Sequence, residues 1–134
     1  MSAAIPSPDT VLCSAYRDQA ERYRAAIALA ESLPALIRTG DEPSERLGRI
    51  TALLAEVAAI EERVRPVRDR WSAAGGRPGA DLRVVLAEVT HLIERLAFCL
   101  GEAEREASAR HNLLAPQLDA IIRGRAMRRA YAGA

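Results

Sequence analysis

The sequence predicts an all-α protein: an antiparallel bundle of three long helices, with the third extended, or broken near Pro116, into a C-terminal amphipathic helix. Three observations carry that prediction. Alanine, leucine, glutamate and arginine dominate the 134 residues, a composition that favours long helices over sheets. Apolar residues recur at steps of three and four through three long stretches, and β-branched residues never form an alternating run, so no strand is expected. The strongest breaks in that pattern fall at 39–41 and at 75–79, leaving three segments joined by short connections. An up-down-up path is the economical way to pack them, and the length suits a single core and a single domain, 1–134.

The first helix starts at Ser7-Pro8-Asp9-Thr10. Ser7 can cap, Pro8 suits the first helical position, and Asp9 complements the positive end of the helix dipole. Residues 1–7 before it are expected to be flexible. One side then carries Leu12, Tyr16, Ala20, Tyr23, Ile27, Ala30, Leu33 and Ile37. Pro34 lacks the N–H and crowds the preceding turn, so it should bend or break this helix. Because the apolar spacing continues past it, a bend is the expectation. Thr39-Gly40-Asp41 then reads as stop, turn and restart, with Gly40 left-handed and Asp41 capping the next helix.

The second helix is expected over about 43–74, with the near-heptad stripe Leu47, Ile50, Leu54, Val57, Ile60, Val64, Val67 and Trp71. Glu42 with Arg46, Glu45 with Arg49, and Glu61 with Arg65 stand in the favoured i,i+4 order on its solvated face. Pro66 should kink it near Glu62. Gly75-Gly76-Arg77-Pro78-Gly79 is the clearest loop, and Trp71 is expected to plug the core beneath it. With Asp81 as cap, the third segment carries Leu82, Val85, Val89, Leu92, Leu96, Cys99, Ala103 and Ala107, then Leu114, Leu118 and Ile121.

These residues offer no reaction chemistry, so the chain is not expected to be an enzyme, and neither cofactor nor metal is expected. Glu88 and His91 form one Glu-x-x-His step, but a di-iron bundle needs a second step and further glutamates. Cys13 and Cys99 are isolated and sit at apolar helical positions, as buried free thiols do. The Gly-rich loop follows a helix and lacks the spacing of a phosphate loop. There is no apolar run of membrane-spanning length, and the opening residues lack the pattern of a signal peptide, so the expected location is cytoplasmic.

All 19 basic residues are arginine, set against 18 acidic ones, a balance that argues against a protein built wholly around a polyanion. The end of the chain departs from that balance. No acid follows Asp119, while Arg123, Arg125, Arg128 and Arg129 crowd together beside an apolar stripe of Leu114, Leu118, Ile121 and Ile122, with Met127 and Tyr131 beyond. Residues 111–134 therefore read as an amphipathic, partner-binding segment. A nucleic-acid-binding or generic interaction adaptor using the same arginines is the alternative; the scarcity of aromatics for base stacking argues against nucleic acid.

In the order of its parts the chain resembles flagellar export chaperones of the FlgN type. The likeness lies in the opening helix with Tyr23-Arg24-Ala25-Ala26-Ile27-Ala28-Leu29-Ala30-Glu31-Ser32-Leu33, ending at Gly40-Asp41, and in the heptads from Leu47 to Val64. It continues in the third helix, which runs into Asn112-Leu113-Leu114-Ala115-Pro116-Gln117-Leu118-Asp119 and Arg125-Ala126-Met127-Arg128-Arg129-Ala130-Tyr131. The resemblance implies a chaperone that binds C-terminal helices of hook–filament junction proteins, keeps them unassembled, and delivers them to the type III export apparatus. It further implies partner contacts at Leu113, Leu114, Leu118, Ile121, Ile122, Met127 and Tyr131, to which Arg125, Arg128 and Arg129 are added from the residues themselves. No small-molecule substrate and no membrane insertion are expected, and an amphipathic tail leaves room for a homodimer.

Overall fold

The computed structural model describes residues 6–132, of which 112–121 and 124–132 are described as helical backbone only. The chain is all-helical, with no strand among the described residues. Its elements are α1 (Pro8–Ala30), α2 (Leu33–Thr39), α3 (Ser44–Ala73) and α4 (Ala80–Ala132). The three long helices pack against one another, and α1 lies closest to both α3 and α4.

Side chains from α1, α3 and α4 share two core clusters. One joins Leu12, Cys13, Ala15 and Ala20 with Ile60, Val64, Leu82, Val85 and Val89. The other joins Ala26, Ile27, Ala30 and Leu33 with Ile50, Leu96, Cys99 and Ala103. The early part of α1 thus shares its core with the end of α3 and the beginning of α4. The central position of α1 follows from its residues: Ala15, Ala20, Ala26 and Ala30 are buried, and a methyl group lets a neighbouring helix come close. Gln19, 4% exposed, is the buried polar side chain of this region, and its Nε2 donates to Glu61 Oε2 at 3.2 Å.

The first helix breaks rather than bends. α1 stops at Ala30, two residues form a turn, and α2 starts at Leu33 with Pro34 in its first turn. The apolar spacing runs on across Pro34 because α2 faces the same core, Leu33 being fully buried. Ser32 does not cap α2 through its side chain. Its hydroxyl donates to the Leu29 carbonyl at 2.9 Å and accepts from Arg46 Nη1 at 2.6 Å, tying the break to the start of α3.

Gly40 takes the left-handed conformation expected of it, φ 83°, and Gly75 does the same after α3, φ 73°. At each, a pair of backbone bonds closes the helix: Gly40 N to Ile37 O with Asp41 N to Leu36 O, and Gly75 N to Ser72 O with Gly76 N to Trp71 O. The two acidic caps expected from sequence are not formed. Asp41 accepts from the Thr39 hydroxyl, and it is Glu42 that accepts the Ser44 N–H at the start of α3. Asp81 lies in the first turn of α4, while the Gly79 N–H just before that helix donates to Asp9 Oδ2 at 3.0 Å. Ser7 caps α1 as expected, accepting from the Thr10 N–H at 3.2 Å. Residues 1–5 of the expected flexible start lie outside the described residues.

The other two prolines expected to disturb a helix are accommodated within one: α3 is assigned through Pro66 and α4 through Pro116. None of the three expected i,i+4 pairs forms an ion pair. Arg65 pairs with Glu62, Glu61 is drawn to Arg68 two turns on and to Gln19 on α1, and Arg46 reaches Ser32 in the turn before α2. Trp71 is half-buried against the first cluster, and a Cβ at Gly76 would lie 2.5 Å from its Nε1, so the loop sits directly on the ring.

Candidate partner-binding groove

Helix α4 is flanked unequally. Toward α1 and α2 it is cross-linked from Glu88 onward: Arg24 pairs with Glu88, Arg95 with Glu31 at 3.1 Å, and Arg38 with Glu106 at 3.1 Å. Arg110 Nη1 then donates to the carbonyls of Ile37 and Arg38, at 3.3 and 3.2 Å, satisfying acceptors at the C-terminal end of α2. A Cβ at Gly40 would lie 2.8 Å from this guanidinium. Among the described residues no hydrogen bond or ion pair joins α3 to α4, and their backbones hardly approach each other.

Where α4 passes the start of α3, that gap opens into a groove of about 510 Å³, bordered by Ile37, Pro43, Leu47, Leu100, Ala103 and Ala107. Asp41, Glu104, Arg110 and His111 stand at its rim. Leu47 is 43% exposed, and Ala107 is exposed. Both belong to stripes that the sequence assigns to the core. Their helices do turn these residues inward, but among the described residues the short α2 only borders the groove, through Ile37, and leaves them exposed. Upstream on α4, Ile93 is 45% exposed and shares the side of Leu100, two turns on. The groove was thus present in the sequence only as apolar residues indistinguishable from core.

The remaining candidates are placed as follows. The side chains of Leu113, Leu114, Leu118, Ile121, Met127, Tyr131, Arg125, Arg128 and Arg129 lie outside the described residues; their backbone belongs to α4, which continues directly from the groove. Ile122 is described and is 62% exposed. At about 1.5 Å per residue, the 53 residues of α4 span about 80 Å, against about 45 Å for the 30 of α3. His91 is exposed and Glu88 is engaged by Arg24, so the Glu-x-x-His step is not assembled into a metal site. No group of three or more metal-ligating side chains occurs among the described residues. Cys13 and Cys99 are free, buried thiols in different clusters. No helix among the described residues is long and apolar enough to cross a membrane.

Fold and groove together define a helical protein with an uncovered apolar seam. No protein-family model, curated protein or solved structure matches the chain.

Proposed function

We propose that this chain is a non-enzymatic, cytoplasmic chaperone of the flagellar type III export kind. In this reading it takes the C-terminal helix of a hook–filament junction protein onto the groove between α3 and α4 and along the amphipathic end of α4, which keeps the junction protein unassembled until export. The bundle is then an up-down-up antiparallel scaffold, and residues 111–134 carry the contacts expected of Leu113, Leu114, Leu118, Ile121, Ile122, Met127 and Tyr131, with Arg125, Arg128 and Arg129 facing acids on the partner. The supporting observation is the apolar groove at the point where α4 leaves its neighbours, because it offers an amphipathic helix a place to bury its apolar face.

The test is calorimetric titration of the full chain with peptides from the C-terminal ends of the organism's own junction proteins. Leu47→Asp and Ala107→Asp should weaken binding by about tenfold or more, the loss expected when a charge enters a desolvated contact, with helicity unchanged. Absence of binding to every junction-protein peptide would overturn the reading. Binding that survives both substitutions would move the site off the groove.

A further inference from the structure

The face of α4 turned away from the core has its own pattern. Phe98, the chain's one phenylalanine, is 57% exposed, and Val84, two heptads before it, is 68% exposed. One turn after Phe98, on the same face, stands Gly101 in a helix interior, where glycine is disfavoured relative to alanine. Its conformation does not require glycine, and a Cβ built there meets nothing within 4 Å. Gly48 in α3 is equally open, but no exposed aromatic stands beside it. Inside one molecule, then, nothing calls for the notch next to the projecting ring.

We propose that a second copy of this chain packs antiparallel on the outer face of α4, with Phe98 of each copy seated over Gly101 of the other. Charge supports both the occupant and the direction. Val84, Ala87, His91, Glu94, Phe98, Gly101 and Arg105 alternate at steps of three and four, as in a helix–helix seam. When two such seams run antiparallel with Phe98 opposite Gly101, Glu94 falls opposite the second copy's Arg105. This pair occurs twice about the two-fold axis, as an isologous contact requires. A parallel pairing in register would instead set Glu94 against Glu94 and Arg105 against Arg105. Glu94 makes no ion pair among the described residues, and Arg105 is held only by Glu102 on its own helix, so both are available to a second copy. This seam lies opposite the core face of α4, so the inference does not rest on the groove or on the proposed function.

Sedimentation velocity on the full chain over a range of concentrations tests it. A concentration-dependent dimer is expected, weakened about tenfold or more by Phe98→Glu and by Gly101→Leu, as at a central interface contact. Glu94→Arg alone and Arg105→Glu alone should each weaken it, and the double exchange should restore it. All four positions lie on the outer face of α4, so circular dichroism should show unchanged helicity. A monomer at every concentration overturns the proposal. So does a dimer indifferent to Phe98→Glu and Gly101→Leu, or a charge exchange that fails to restore association.

Discussion

Toward α1 and α2, helix α4 is crossed by Arg24–Glu88, Arg95–Glu31, Arg38–Glu106 and the Arg110 bonds to α2, over a seam packed with alanine. Toward α3 the same helix has no polar cross-link among the described residues, and Leu47, Leu100 and Ala107 are left around a groove. The ion pairs are mostly exposed, worth about 0–1 kcal/mol each, so they do not account for the difference in cohesion. Side-chain size does. On α1, Ala20 and Ile27 share a flank with Arg24 and Glu31, whose partners are on α4; Ala26 shares a flank with Gln19 and Arg22, whose partners are on α3. Alanine on both sides of α1 draws both neighbours toward it, and this leaves the backbones of α3 and α4 farther apart, meeting through side chains of the shared core.

The largest expected effect is on the shared core. Leu12→Ala, at a position 1% exposed, should lower the unfolding free energy by about 2–5 kcal/mol in urea titration. Leu47→Ala should cost less than about 1 kcal/mol, since much of that side chain is already in water. Equal losses at both positions would mean that the groove is covered in solution.

Next in size is a test with one substitution on the two flanks. Ala20→Leu, at 1% exposure, should destabilise by about 1–3 kcal/mol through overpacking. Ala107→Leu should stay within about 0.5 kcal/mol, as expected of an exposed helical position. Thermal melts of the two variants side by side decide this, and a large loss at Ala107 would contradict an open seam.

Arg110→Ala should cost about 0.5–1.5 kcal/mol by removing hydrogen bonds to the end of α2. Hydrogen exchange should show the change first in α2, with α3 unaffected.

The smallest effect is with pH. Burial raises the Tyr23 phenol above its ordinary 10.0 by disfavouring the phenolate. The folded state therefore holds this proton more tightly than the unfolded state. Its contribution is fully present below pH 10 and is lost as pH rises through the folded value. Tyr23→Phe should flatten the decline in stability seen above pH 10, read from melts across that range.

Much of the architecture was legible in the residues. The Ser7 cap, the left-handed Gly40, Trp71 beneath the glycine loop and the buried stripe from Leu82 to Ala103 all follow from local chemistry or helical period. The period failed at Leu47 and Ala107 because it reports which way a side chain points and is silent about what stands opposite. The same limit explains why Asp41 and Asp81 do not cap. Thr39 engages Asp41, and at the start of α4 it is Asp9, seventy residues earlier, that receives the Gly79 N–H. The acidic candidates were sound locally and lost to partners that only folding supplies.

The sequence by itself determined that the chain is helical, where most of its helices stop, and which stripe of each carries apolar residues, because capping, propensity and period are local properties. The tertiary structure decided that α1 breaks before Pro34 instead of bending, that α1 stands between its two neighbours, and that the seam between α3 and α4 stays open. Those outcomes depend on side-chain volumes summed across facing helices, and no single segment contains that sum.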